Sequence, residues 1–283
     1  MNKAFSLPFS KFAGLIFLSQ IFLSQCGGAA AVLPAAVSTA PASSLTPSDQ
    51  TQIPILMYHY IGPIPPDQLN NALRKDLTVS QENFEAQLKW LSENNYETVY
   101  FQEVLDFVNH ASTPTPAFAS LGSKKPIVLS FDDGYESAYS VAFPLLKKYK
   151  MKGAFAIITG KIEMRKYLTW SQISVMQAAG MEILSHTVTH ADLSILTAPQ
   201  IEDELTTSKE QLEAILGHQV KGLIYPSGKY TGRVIRSARN LYEGARATQR
   251  GVVTKNSKPF ELPTVRIRGS TTLEQFSHLF TDF

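Results

Sequence analysis

Short apolar runs alternate with amphipathic stretches along the chain from residue 53 to its end. Apolar runs bounded by turn residues predict buried strands, and apolar residues at helical spacing predict helices. The runs predict strands over residues 53–59, 97–100, 127–131, 154–158, 182–185, 223–225, 245–248 and 265–267. The amphipathic stretches predict helices over residues 80–94, 101–109, 135–149, 169–179, 199–216 and 271–279.

The alternation of strands and helices predicts βαβ units around a parallel sheet. About seven such units favour an α/β barrel over a sandwich. The active groups of such barrels lie at the carboxyl ends of the strands. The polar residues just beyond each predicted strand are therefore the first candidates for chemistry.

The first 26 residues have the pattern of a secretory signal. They carry two lysines and no acidic residue, and their mostly apolar stretch, residues 12–24, is too short to span a bilayer. Residues 1–26 are therefore predicted to be a signal peptide that exports the protein to the periplasm, the outer envelope or the extracellular space. The residues before Cys26 resemble a lipoprotein box, which makes Cys26 a candidate for lipidation. Gln25 departs from that box and leaves cleavage at residues 29–31 as the alternative.

The composition of the chain changes after the signal segment. Residues 27–52 are rich in Ala, Ser, Thr and Pro and predict a flexible linker, and residues 53–283 predict one folded domain.

Beyond residue 26 the chain carries 24 basic and 24 acidic residues, a balance that argues against a nucleic-acid binder. The single cysteine excludes an internal disulfide and a cysteine-rich zinc site. We expect a monomer whose only membrane contact is a lipid on its N-terminus.

Two adjacent carboxylates, Asp132 and Asp133, stand just after the predicted strand 127–131 in the segment SFDDG. Unpaired, they would repel each other and lose hydration at the end of a buried strand. The pair indicates either a functional site or a solvated Asp-Asp turn, and alone it leaves both open.

Two of the six histidines, His186 and His190, lie four residues apart just beyond the predicted strand 182–185. One helical turn or a tight loop would place both imidazoles on one side. A carboxylate with two imidazoles is a common catalytic zinc set that leaves a position open for water. The alternative is one capping histidine and one surface histidine.

Two further segments stand at strand ends. The segment YPSGKY, residues 225–230, predicts a turn whose backbone N–H groups could form an oxyanion hole, although a plain strand-to-helix turn has the same pattern. The segment Tyr58-His59-Tyr60 ends the first strand and indicates either a pocket lining or a satisfied core histidine.

In this order, SFDDG, SHTVTH and YPSGKY resemble the motifs of the polysaccharide deacetylase (NodB-homology) domain, carbohydrate esterase family four. The resemblance covers most of residues 53–280. It implies a distorted (β/α)7 barrel, an Asp-His-His metal site that usually holds zinc, and hydrolytic removal of acetyl groups from N-acetylated sugars. Position by position, it implies that Asp132 is the general base and that the Ser227 N–H belongs to the oxyanion hole. The metal ligands that it implies are Asp133, His186 and His190.

The arginine that orients the base departs from the family pattern. Family members often carry it two residues before the proline of the third motif, where this chain has Ile224. We expect Arg266 or Arg268, on the last predicted strand, to take its place.

The general acid departs as well. The family uses a histidine on a late strand, but after Arg268 this chain has only His278, on a predicted helix surface. The first predicted strand looks like that late strand moved to the front by a circular permutation, an arrangement similar to that of the envelope poly-N-acetylglucosamine deacetylases. First and last strands are neighbours in a barrel, so His59 is the expected general acid.

The resemblance also implies a substrate. We expect the substrate to be an N-acetylglucosamine-containing exopolysaccharide or cell-wall glycan. From their positions near the mouth, Tyr58, Tyr225 and Pro226 are the expected substrate contacts, and the alternative for the aromatic residues is ordinary core packing. Two alternatives remain: an O-acetyl ester esterase that acts on a polysaccharide, and a catalytically silent carbohydrate-binding envelope protein.

Overall fold

The computed structural model describes residues 51–110 and 116–279 of the chain. The predicted signal peptide, Cys26 and residues 27–50 of the predicted linker lie outside the described residues. Within the described part, no helix is both long enough and apolar enough to cross a membrane.

Seven parallel strands close into a barrel. The strands of the described residues are β1 (Ile55–Tyr58), β2 (Tyr60–Ile61), β3 (Thr78–Val79), β4 (Tyr96–Thr98), β5 (Lys125–Phe131), β6 (Ala154–Ile157), β7 (Glu182–Ser185), β8 (Gly222–Ile224), β9 (Gly244–Arg250) and β10 (Leu262–Arg266). The barrel runs β1, β5, β6, β7, β8, β9, β10, and β1 closes it by pairing with both β5 and β10. The predicted seven-stranded α/β barrel is confirmed, with β4 attached to β5 outside the ring.

Helices come after most of the strands. Most of them pack on the outer layer of the barrel, and the helix at residues 101–109 packs with the strand residues that point into its interior. The helices are α1 (Ala72–Leu77), α2 (Gln81–Glu93), α3 (Phe101–Asn109), α4 (Pro116–Ala119), α5 (Phe143–Lys148), α6 (Trp170–Ala178), α7 (Ala198–Leu216), α8 (Gly232–Arg239) and α9 (Leu273–His278). Helix α7 begins with a capping box of Thr197 and Gln200 and ends at Gly217, whose left-handed φ of 72° terminates the helix. Its buried residues lie at helical spacing and are Ile201, Glu204, Leu205, Ser208 and Leu212.

Side chains of the barrel strands alternate between the interior and the outer layer, because successive strand residues point to opposite faces. On β1, Leu56 and Tyr58 pack in the outer layer, where Tyr58 meets the ring of Phe84 on α2. Ile55 on β1 and His59 just after it alternate with these two residues, so their side chains point toward the interior. The carboxyl ends of the strands therefore bring inward-pointing polar residues to one mouth.

Residues 135–149 differ from the single helix that the pattern predicts. A π-helical segment (Ala138–Ala142) precedes α5. Pro144 is near the start of α5 and has no N–H to donate, so the regular hydrogen-bond ladder is interrupted in the preceding turn. Residues 60–79 also form β2, α1 and β3, which are too short to show a periodic pattern in the sequence.

Candidate metal centre and active site

Three side chains with metal-ligand chemistry converge at the carboxyl end of the barrel. Asp133 comes after β5, His186 and His190 come after β7, and one ligand atom from each lies within 4.8 Å of the others. The Nε2 atoms of His186 and His190 are 3.3 Å and 3.5 Å from Oδ1 of Asp133. One carboxylate and two imidazoles in this arrangement can hold a divalent cation and leave coordination positions open.

The backbone around these ligands is left-handed at three residues that are not glycine. The φ angle is 75° at Asp133, 66° at Thr187 and 64° at His190. Such backbone costs about 1–3 kcal/mol per residue and persists only where surrounding contacts enforce it. The turn at Asp133 lets its side chain reach the mouth beside Asp132, although neighbouring strand residues ordinarily point apart.

The His186 ring is oriented by the strand beside it. Its Nδ1 atom lies 2.8 Å from the carbonyl oxygen of Ile224 on β8. A carbonyl oxygen only accepts hydrogen bonds, so Nδ1 carries the proton and donates it. Nε2 is therefore the ring nitrogen that faces Asp133, with which it shares a hydrogen bond in the metal-free protein, and the nitrogen that would bind a metal ion in exchange for its proton.

The Asp133 carboxyl is ionised at neutral pH. Burial alone would raise its pKa. The hydrogen bond and charge of His186, with the charges of His59 and His190, outweigh burial and hold the pKa of Asp133 well below its usual range. The residue is thus in the form that binds a cation.

The neighbouring carboxylate, Asp132, is held by a buried guanidinium. Arg246 on β9 is fully buried, and its Nη2 atom donates to both oxygens of Asp132 at 2.6 Å. The Arg246 Nη1 atom donates to the carbonyl oxygen of Ala247 at 3.3 Å. This ion pair fixes the orientation of the Asp132 carboxylate inside the barrel.

Arg246 is not among the residues that the motifs predict, although one feature of the sequence marks it. It stands between two alanines on a buried strand, which is unusual for arginine. In the structure, Arg246 pairs in register with Ile224, the position where the family often has its base-orienting arginine. The guanidinium therefore comes from the adjacent strand.

The expectation that Arg266 or Arg268 orients Asp132 is wrong. Arg266 Nη2 lies 2.5 Å from Oδ2 of Asp76, and Arg268 Nη1 lies 2.8 Å from Oδ1 of the same carboxylate. Asp76 belongs to α1, a helix too short to predict, so the sequence offered no sign of this partner.

His59 lies at the end of β1 with its ring directed toward the interior. Its Nδ1 atom is buried and has no hydrogen-bond partner among the described residues. Burial lowers the pKa of His59, and the charges of Asp132 and Asp133 oppose that effect without overcoming it. A lowered pKa leaves less of the ring protonated at neutral pH and makes the protonated form a stronger acid. Its role as general acid stays a prediction.

The third motif forms a tight turn, Pro226–Gly228, after β8. Ser227 is exposed in this turn with a φ of 53°. A Cβ atom on Gly228 would lie 2.1 Å from Thr248 Oγ1, so only glycine lets the turn pack on β9. Lys229 Nζ lies 2.6 Å from Oδ2 of Asp192, which ties the turn to the segment after the second motif. The backbone around Ser227 is thus held on two sides.

Two of the three expected substrate contacts, Tyr58 and Tyr225, are buried away from the mouth. The Tyr58 hydroxyl donates to Oε1 of Gln87 at 2.9 Å, and the Tyr225 hydroxyl donates to the carbonyl oxygen of Phe260 at 3.2 Å. Both tyrosines occupy the outward parity of their strands and pack under the helices. The expectation that the two tyrosines contact substrate is therefore corrected. Pro226 is buried at the start of the third-motif turn, and its contact with substrate stays a prediction.

Tyr58→Phe is expected to leave kcat/KM unchanged and to lower the free energy of unfolding by about 1 kcal/mol, because one buried hydrogen bond to Gln87 is lost. Urea unfolding and steady-state kinetics on one preparation measure both quantities. A tenfold fall in kcat/KM without loss of fold would show that Tyr58 acts at the site after all.

Comparison with known proteins agrees with this geometry. The family model of polysaccharide deacetylase matches residues 120–242. The deacetylase PplD of Streptococcus pyogenes, solved in complex with acetate, is 30% identical, with a TM-score of 0.72 over 81% of this chain and 98% of that chain. A polysaccharide deacetylase from Bacillus cereus is 32% identical, with a TM-score of 0.69 over 81% and 69% of the two chains.

A curated relative carries a more specific name. The poly-beta-1,6-N-acetyl-D-glucosamine N-deacetylase of Staphylococcus aureus (strain MRSA252) is 27% identical over 72% of this chain and 71% of its own length. The similarity to the two solved deacetylases reaches 30% or more and spans more than two thirds of each. The chain therefore belongs to the polysaccharide deacetylase family, as the order of its motifs predicts.

Proposed function

We propose that the protein is a metal-dependent hydrolase that removes N-acetyl groups from a polysaccharide containing N-acetylglucosamine. The observation that carries this proposal is the different environment of two adjacent carboxylates at one mouth. Asp133 lies between two imidazoles, which suits a cation, and Asp132 lies on the buried Arg246, which suits an oriented base.

Zinc is the proposed ion, held by Asp133, His186 and His190. One carboxylate and two imidazoles form a typical catalytic zinc set, and the His186 hydrogen bond to Ile224 leaves Nε2 as the nitrogen that such an ion would bind. When bound, the ion would polarise the acetyl carbonyl and make a water molecule more acidic.

The side chains divide the proton transfers of amide hydrolysis. Asp132, oriented by Arg246, accepts a proton from a water molecule while the water oxygen bonds to the acetyl carbonyl carbon. The Ser227 N–H donates to the carbonyl oxygen as that atom gains negative charge, which contributes about 3–4 kcal/mol for a well-placed donor. His59 gives a proton to the sugar nitrogen as the carbon–nitrogen bond breaks. Acetate and a free amine leave.

The relatives support a glycan amide as substrate. The Staphylococcus aureus relative is named for poly-beta-1,6-N-acetyl-D-glucosamine, and PplD was solved with acetate, the acid that this reaction would release. We propose an N-acetylglucosamine exopolysaccharide as the first substrate to test and a cell-wall glycan as the second.

The proposed substrate lies outside the cytoplasm, which agrees with the N-terminal pattern. We propose that residues 1–26 export the protein and that Cys26 is a lipidation site. Residues 27–52 then act as a flexible linker to a monomeric catalytic domain, residues 53–283.

The test measures acetate released by the protein without its signal peptide. The substrates are β-1,6- and β-1,4-linked N-acetylglucosamine oligomers and O-acetylated xylan, each with added Zn²⁺ or with a chelator. We expect release from the N-acetylated oligomers, and its loss with the chelator, because the carbonyl is no longer polarised. Release from O-acetylated xylan alone would instead favour an ester esterase, and release from none of them would favour a glycan-binding protein.

A further inference from the structure

The loop between the two histidine ligands is held through its backbone. All five N–H groups from His186 to His190 have hydrogen-bond partners. Two of them go to one side chain: the N–H groups of Val188 and Thr189 donate to Oε2 of Glu204 at 2.8 Å and 2.9 Å. The Thr189 hydroxyl donates to the other oxygen, Oε1. Three donors of this loop therefore converge on one carboxylate.

Glu204 is a buried carboxylate, and a buried carboxylate requires hydrogen-bond donors to compensate for its lost hydration. It is 8% exposed and belongs to the otherwise apolar and small buried stripe of α7. No lysine, arginine or histidine among the described residues forms an ion pair with it. Buried charges persist only where donors satisfy them, and here the donors come from the histidine loop.

The opposite side of the loop is held by the segment after β6. The N–H groups of Thr159 and Gly160 donate to the carbonyl oxygens of Thr187 and Val188 at 3.1 Å and 2.9 Å. A Cβ atom at Gly160 would lie 2.6 Å from the Val188 oxygen. The loop is thus held by hydrogen bonds through its carbonyl oxygens on one side and through its N–H groups on the other. We call the second set, the hydrogen bonds from the loop to Glu204, the Glu204 clamp.

The Glu204 clamp explains how the loop keeps its left-handed backbone. Thr187 and His190 are both left-handed, and such conformations persist only when neighbouring groups impose them. Without Glu204, the N–H groups of half-buried Val188 and exposed Thr189 could bind water instead. The expected consequence is a loosened loop and a misplaced His190 ring in a protein that still folds.

We propose that Glu204 is a positioning residue, which holds His186 and His190 at the spacing that a divalent cation requires. This inference rests on the proposed function, because it takes Asp133 and the two histidines as the metal ligands.

The experiment compares Zn²⁺ affinity in the chelator-stripped protein, measured by competition with a chromophoric chelator. The variants are Glu204→Ala, Glu204→Gln and, as a matched control, Glu202→Gln, an exposed position on the same helix. Glu204→Ala is expected to weaken Zn²⁺ binding about 10- to 100-fold, as loss of a supporting partner of a metal ligand typically does. Glu204→Gln should weaken it less, because its amide oxygen still accepts from the loop, and Glu202→Gln should bind as wild type.

Two further readouts separate positioning from general stability. The visible absorption of bound Co²⁺ should change in the Glu204 variants, because it reports ligand geometry, and should stay unchanged in Glu202→Gln. Thermal unfolding of the metal-free proteins shows which variants fold. Wild-type Zn²⁺ affinity in folded Glu204→Ala would overturn the proposal, and if that variant does not fold, wild-type affinity in Glu204→Gln would do so.

Acetate release distinguishes this inference from the proposed function. Weaker Zn²⁺ binding in the Glu204 variants supports the clamp even if the wild-type protein releases no acetate. If the wild type releases acetate and the Glu204 variants bind Zn²⁺ with wild-type affinity, the proposed role of Glu204 is overturned and the proposed function stands. A wild-type protein that binds no Zn²⁺ overturns both.

Discussion

Asp132→Asn is expected to lower kcat for acetate release about 10³-fold, because an amide cannot accept the proton of the attacking water. Asparagine keeps the size of the side chain and an oxygen that can accept from Arg246. The proposed ligands Asp133, His186 and His190 are unchanged, so we expect Zn²⁺ content to remain that of the wild type. Steady-state kinetics and elemental analysis of the same sample measure both quantities.

The matched control for that variant is His186→Ala, which removes a proposed ligand and should lose both Zn²⁺ and activity. Metal-dependent activity that persists in Asp132→Asn at a wild-type rate would contradict the assignment of the base. Loss of Zn²⁺ in Asp132→Asn would mean that the two carboxylates share the metal, contrary to their separate surroundings in the structure.

Arg246→Met is expected to lower the free energy of unfolding by about 3–5 kcal/mol and to reduce kcat. The substitution leaves the Asp132 carboxylate buried and without its partner, which is the costly way to break a buried ion pair. Activity falls because the carboxylate is no longer oriented. Urea unfolding measures the first effect and acetate release the second.

Two controls test that explanation. Asp132→Asn combined with Arg246→Met should be more stable than Arg246→Met alone, because no uncompensated carboxylate remains. Arg266→Met breaks a more exposed pair with Asp76 and should cost only about 0–1 kcal/mol, with kcat near wild type. Equal losses of activity in the Arg246 and Arg266 variants would contradict the structure's assignment of the orienting arginine.

The features that the sequence predicts best are local ones. The barrel is expected from alternating strands and helices, each visible within about ten residues. Asp133, His186 and His190 each stand just after a strand, and parallel strands bring their carboxyl ends together whatever the packing around them. A short motif at a strand end therefore predicts a position in space.

The features that the sequence does not predict depend on distant partners. Arg246 meets Asp132 across 114 positions of the chain, and Arg266 meets Asp76 across 190. No periodic pattern reports which of several arginines reaches a given carboxylate. Tyr58 is a different case, because the two-residue period of a strand places it opposite His59, and the two cannot both line the interior.

The proposed metal dependence is tested most directly by titrating activity and metal together. Zn²⁺ is added in increments to the chelator-stripped protein, and acetate release from a β-1,6-linked N-acetylglucosamine oligomer is measured at each step. We expect a rate that rises from near zero and stops rising at one Zn²⁺ per chain, with no rise in His186→Ala. A rate that is unaffected by stripping, or that rises equally in His186→Ala, would contradict this expectation.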